Sequence, residues 1–183
     1  MVKRQLVVFK IGSEEFAIDI LLTKEVVVMR EVTSVPETED YVEGVMNLRG
    51  NLVPVIDLRK RLRACGTNAE EEQRIIVVQL DRRVVGLIVD GASEVIRVND
   101  TQIEPAPDII TELGIGYVLG VINFAGRYIT LIDLDKALSG EITNELAEVM
   151  NVLERTATTE KEAASVESQT KQGRRGTRQK LSR

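Results

Sequence analysis

The sequence predicts an all-β protein: two small antiparallel β-barrels, one for each half of an internal repeat, followed by a helix and a polar tail. Three observations carry this reading. First, "YVEGVMNLRGNLVPVIDLRKRL" at residues 41–62 returns without a gap as "YVLGVINFAGRYITLIDLDKAL" at 117–138, with eleven of the twenty-two positions identical. Upstream, residues 6–36 align on 75–105 at a constant offset of 69, which places Glu25 on Glu94, Val26 on Val95 and Pro36 on Pro105. The closing segments align at an offset of 76, so the second half has gained seven residues between Pro105 and Tyr117. Second, apolar residues make up 43% of the 183 residues but aromatics only 3%, so Val, Ile and Leu must build the core, and these favour pleated, half-buried surfaces. Third, apolar residues alternate with period two between glycine-bearing turns.

The elements follow in order. Leu6, Val8 and Lys10 alternate with Val7, Phe9 and Ile11, and Gly12-Ser13-Glu14 then turns the chain. Phe16, Ile18 and Ile20 alternate with Ala17 and Asp19 in a second strand, and residues 24–29 form a β-branched third. Residues 44–48 and 52–56 make a hairpin around Arg49-Gly50-Asn51, where the glycine supplies positive φ. Asp57 precedes "LRKRL" as Asp133 precedes "LDKAL", and an aspartate there caps a short helix by accepting a free backbone N–H. Five strands and a helical turn per half suit small barrels, which close on themselves and so leave no exposed edge.

Beyond residue 140 the style changes. Leu146, Val149, Met150 and Leu153 fall at helical spacing, so residues 141–155 are expected to hold an amphipathic helix packed on the parent domain, with a partner groove as the alternative. Residues 156–183 lack periodicity and are expected to be disordered. The net charge of −5 hides an uneven distribution, because the last thirteen residues carry six bases and no acid. That end could touch anionic lipid or nucleic acid, but no aromatic residue interleaves its arginines, so nucleic acid is not expected as a partner.

Catalysis finds little material. There is no histidine, the commonest general base and metal ligand, and the one cysteine, Cys65, has no histidine to activate it. A lone cysteine also fits a reducing compartment. The opening apolar run, residues 6–9, is too short for a signal peptide, and no run approaches the ~18 residues of a membrane span, so a cytoplasmic location is expected. Asp57 and Asp133 could be offered as paired carboxylates for a small hydrolase, but their matching places in the repeat favour capping. "GIGYVLG" runs from a loop into a strand, whereas a dinucleotide fingerprint follows a strand and opens a helix. No metal or cofactor motif is present.

The differences between the copies are more informative than the identities. Shared positions, such as Gly44 with Gly120, Asn47 with Asn123 and Gly50 with Gly126, are those the barrel needs. Where the copies diverge, Arg49 faces Ala125, Glu43 faces Leu119, Pro54 faces Thr130 and Arg61 faces Ala137. An arginine kept in one half only, beside an apolar wall, is a recognition candidate.

"GVMNLRGNLVPVIDLR", with "FKIGSEEFAIDI", "VVGLIVDGASEV" and "IEPAP", resembles the CheW family of bacterial chemotaxis coupling proteins over about residues 5–140. The resemblance implies one domain over residues 1–140, made of two intertwined SH3-like barrels with halves at about 6–62 and 75–138. It implies a non-catalytic adaptor, without cofactor or metal, that links transmembrane chemoreceptors to a CheA-type histidine kinase. The receptor's cytoplasmic tip would bind between the barrels on Thr23, Glu25, Val26 and Val27, with Gly44 and Arg49 beside them. The kinase would bind through its own CheW-like regulatory domain, barrel against barrel, which can build rings by such homotypic contacts. The connection "IEPAPDIITELGIGY" is stiffened by prolines and is expected to offer Glu104, Ile109 and Ile110 to the kinase or a ring neighbour; alternatively these residues close the second barrel. The tail exceeds what a coupling protein requires, and no receiver or kinase module is evident. A coupling protein of a non-flagellar pathway is the nearest alternative.

Overall fold

The computed structural model describes residues 3–63, 73–108, 110 and 115–138. The expected helix at 141–155, the tail, Cys65 and Ile109 lie outside the described residues. The first half of the repeat forms β1 (Lys3–Ile11), β2 (Glu14–Asp19), β3 (Thr23–Val28), β4 (Val42–Leu48), β5 (Asn51–Asp57) and the short helix α1 (Leu58–Arg61). The second forms β6 (Arg74–Leu80), β7 (Arg83–Val89), β8 (Gly91–Asn99), β9 (Ile103–Pro105), β10 (Val118–Phe124), β11 (Arg127–Ile132) and α2 (Leu134–Ala137).

The strands assemble into two sheets whose boundary does not follow the boundary of the repeat. One sheet runs β8-β1-β2-β11-β10-β9 and the other β3-β6-β7-β5-β4. Each half therefore lends its first hairpin to the sheet built on the other half's later strands. A barrel made from one half alone does not occur. Pairing is antiparallel except at one junction per sheet, where β11 meets β2 and β5 meets β7 in parallel. Those junctions join strands from different halves, as the exchange requires.

In both sheets the chain that leaves one edge strand returns to pair at the opposite edge. In the six-stranded sheet the edge strands β8 and β9 are separated only by the 3-10 turn Asp100–Gln102. In the five-stranded sheet, Thr33 exchanges two 2.8 Å backbone hydrogen bonds with Val45 on the edge strand β4. Glycine permits the close approach at both seams. A Cβ on Gly44, whose φ is +136°, would lie 2.0 Å from the Thr33 carbonyl oxygen, and one on Gly120 would lie 2.4 Å from that of Glu104.

This register corrects the end of the repeat alignment. Thr33 pairs with Val45 and Glu104 with Val121, and Val45 and Val121 are repeat equivalents. Thr33 therefore corresponds to Glu104, and Pro36 does not correspond to Pro105. Sequence matching slid past this because the pairing, not the side chain, defines the position.

Each barrel encloses its own core. Leu6, Val8, Ala17, Ile96, Ile122 and Leu131 fill one; Met46, Val55, Ile75, Val77 and Ile88 fill the other. The opposite faces of β1 and β6 are buried as well, through Val7, Phe9 and Ile11 and through Ile76 and Val78. Strands covered on both sides read as continuous apolar runs rather than alternation, and "LVVF" and "IIVV" are such runs. Phe9 stacks on Phe16 with ring centroids 6.0 Å apart.

Candidate functional site

The β4–β5 hairpin turns through Arg49 and Gly50, with φ of 55° and 88°. Two successive positive φ values suit the right-handed twist of the flanking strands. Asn47 shapes the turn by accepting the Gly50 N–H at 2.8 Å. Ala125 and Gly126 repeat the geometry, with φ of 51° and 79°, so the arginine is not demanded by the backbone. Its side chain has another use. Arg49 Nη2 donates to Glu25 Oε2 at 2.8 Å, while 76% of the Arg49 side chain stays exposed.

The strand β3, which carries Glu25, alternates cleanly. Thr23, Glu25 and Val27 are half-buried, and Val27 packs on the five-stranded core. Lys24, Val26 and Val28 point outward; Val26 is 43% and Val28 55% exposed, and Met29 extends the apolar stripe. The sequence-predicted residues thus divide: Thr23, Glu25 and Val27 share one face, Val26 lies on the other, and Arg49 reaches β3 through Glu25. Gly44 lies not on β3 but buried on β4, close against the Thr33 and Ser34 backbone. The Thr23 hydroxyl is buried with no hydrogen-bond partner among the described residues. Of the other named residues, Glu104 is exposed on β9 and Ile110 is half-buried, its N–H bonded to the Pro107 carbonyl at 2.9 Å.

The second half holds its equivalent glutamate differently. Glu94 pairs with Arg127, which also donates to Glu15 at 2.8 Å. Arg127 stands two residues beyond Ala125, so this hairpin keeps its cation along the strand instead of at the tip.

The two aspartates once eligible for catalysis are committed to structure. Asp57 Oδ1 accepts the Arg59 N–H at 3.0 Å and Arg59 Nε at 2.8 Å, and Oδ2 accepts Arg59 Nη2 at 2.5 Å. Arg59 Nη1 continues to Asp90 Oδ1 at 3.1 Å, and Asp90 Oδ2 accepts the Gly12 N–H at 2.6 Å. Both carboxylates are buried, and Asp57, then Asp90, push the Arg59 pKa further up. This chain of bonds ties α1 to the β1–β2 turn and the β7–β8 junction. Asp133 caps α2 by accepting the Lys136 N–H at 3.1 Å. Sequence reading missed Asp90 and Arg127; the visible signal for Asp90 was an acid closing the apolar run "GLIVD".

The CheW-like domain model matches residues 5–142. The chain belongs to the CheW-like domain family. Among its CheW relatives, the chemotaxis protein CheW of Klebsiella aerogenes is 39% identical over 151 residues, 82% of this chain and 89% of that protein. The chemotaxis protein CheW of Bacillus subtilis is 35% identical over 137 residues, 75% and 88% of the two chains. The crystal structure of the scaffolding protein TtCheW from Thermoanaerobacter tengcongensis superposes with a TM-score of 0.69 at 34% identity, covering 78% of this chain and 92% of that one. The CheW-like fold accounts for the two intertwined barrels described above. No helix among the described residues is long and apolar enough to cross a membrane.

Proposed function

We propose that this CheW-like chain is a non-catalytic coupling protein that joins the cytoplasmic tip of chemoreceptors to a CheA-type histidine kinase. The observation that carries the reading is the Arg49–Glu25 pair: a mostly exposed guanidinium at a hairpin tip, held beside the apolar outer stripe of β3. A guanidinium offers five donors in a planar fork, and a glutamate at one side leaves others for a second acceptor. Thr23, Glu25, Val26 and Val27 form the receptor-facing surface in this reading, with Gly44 and Arg49 beside it. Glu104 and Ile110, with Ile109, supply the kinase or ring contact. The protein works in the cytoplasm and reaches the membrane through its receptors. Relatives named as chemotaxis and scaffolding proteins support the role, and so does the structural commitment of Asp57 and Asp133.

The test uses the intact chain as bait in native lysate, beside its Arg49→Ala variant. The wild-type chain is expected to recover a histidine kinase and methyl-accepting receptors. The variant should bind receptor at least about tenfold more weakly, the loss expected for a contact of about 1.4 kcal/mol, with kinase recovery and melting temperature unchanged. Equal loss of both partners would reject Arg49 as a receptor contact.

A further inference from the structure

Three successive cations, Arg59, Lys60 and Arg61, end α1, and the first two are matched by acids. Arg59 is held by Asp57 and Asp90, and Lys60 by Glu43. Arg61 has no acidic partner among the described residues. Its guanidinium instead lies over the Tyr41 ring, 5.6 Å from the centroid. Its Nε is shut off from solvent with no hydrogen-bond partner among the described residues, while the side chain as a whole is half-buried. Burial raises the Tyr117 pKa, and the charges of Arg61 and Glu14 act on the same hydroxyl, the first lowering it and the second raising it. Tyr41 and Tyr117 are repeat equivalents that precede β4 and β10. The second half has Ala137 at the place of Arg61.

We infer that the Arg61–Tyr41–Tyr117 cluster is a second docking point, which receives the carboxylate of an acidic side chain presented by a partner protein. Stacking on an aromatic face leaves the edge of a guanidinium free for in-plane donation, and the stack holds that edge in one orientation before a ligand arrives. The half-buried guanidinium offers the parallel pair of N–H bonds that a carboxylate accepts. The place is also distinct from the Arg49 surface. Tyr41 precedes β4 and Arg49 follows it, so the seven-residue strand between them sets them roughly 26 Å apart at about 3.3 Å per residue. One hairpin thus carries a cationic contact at each end, and the two can engage different partners together.

The experiment labels the full chain with nitrogen-15 arginine and titrates it separately with a blocked Gly-Glu-Gly-Glu-Gly peptide and with sodium phosphate. The peptide is expected to shift the Arg61 Nε–Hε signal and the Tyr41 and Tyr117 ring signals saturably. Arg61→Gln should weaken that binding at least tenfold, and Arg49→Ala should leave it unchanged. Arg61→Lys keeps the charge and the aliphatic stem but not the fork, so it guards against a folding defect and should also bind several-fold more weakly. No saturable shift, an unchanged affinity in Arg61→Gln, or wild-type affinity in Arg61→Lys would overturn the inference. Phosphate binding more tightly than the peptide, and displacing it, would overturn the choice of a carboxylate.

Discussion

Arg59 and Arg49 lie ten residues apart and illustrate two opposite uses of one side chain. Arg59 is largely enclosed between Asp57 and Asp90, and removing it would strand two buried carboxylates. Breaking such a pair typically costs about 3–5 kcal/mol. Arg59→Ala is therefore expected to lower stability by about that much in urea denaturation, and recovery to within about 1 kcal/mol of wild type would show the bonds to be dispensable. The Arg49 pair is exposed, and exposed pairs contribute only about 0–1 kcal/mol, so its loss should be read in binding. At the repeat equivalent of Arg59 stands Asp135, an exposed residue whose pKa is raised by partial desolvation first and then by the charges of Asp133 and Asp81. A carboxyl with a raised folded-state pKa binds protons more tightly in the native state, so its contribution is full below the unfolded pKa and is lost as pH rises through the folded one. Asp135→Asn should melt above wild type at neutral pH, and the gap should close as pH falls toward about 4, the ordinary aspartate range. A variant that melts lower at neutral pH would contradict this.

Among the elements, the β4–β5 hairpin has two glycines with different duties. Gly44 has both a positive φ and a neighbour's carbonyl where its Cβ would go, whereas a Cβ on Gly50 would meet nothing within 4 Å. Overpacking costs roughly 1–3 kcal/mol and an unfavourable φ a similar amount. Gly44→Ala should thus lose about 3 kcal/mol or more and open the seam at Thr33, while Gly50→Ala should lose only about 1 kcal/mol. Comparing both by thermal melting, with exchange protection of the Thr33 and Val45 amides, checks the assignment; equal losses would refute it. Much of this hairpin was legible beforehand, since the turn, the caps at Asp57 and Asp133 and the shared Gly, Asn and Asp positions all depend on local chemistry. The Arg49–Glu25 and Arg127–Glu15 pairs were not legible, because they join residues 24 and 112 positions apart.

For the whole molecule, the exchange of hairpins has a consequence for folding. Every sheet contains strands of both halves, so neither half can close a barrel by itself. Fragments 1–63 and 73–140, expressed separately, are expected to lack dispersed NMR spectra and to gain them on mixing. Native-like spectra from either fragment alone would contradict the topology. Long-range pairing of this kind also predicts slow folding compared with a protein of local hairpins, since distant segments must meet before contacts form.

The sequence by itself determined the class of structure: two β halves, their hairpin turns, their helix caps and the near absence of catalytic groups. Those properties reside in local alternation, in residues that permit positive φ and in short-range capping bonds, all of which act within a few positions of the chain. Only the tertiary structure decided which half completes which barrel, because two repeats of similar sequence offer strands that can pair either within a half or across it. It likewise decided which cations are matched. Arg59 and Arg61 stand two residues apart in the same short helix, yet the packing of β7 and β1 brings Asp90 to one and leaves the other over a tyrosine ring.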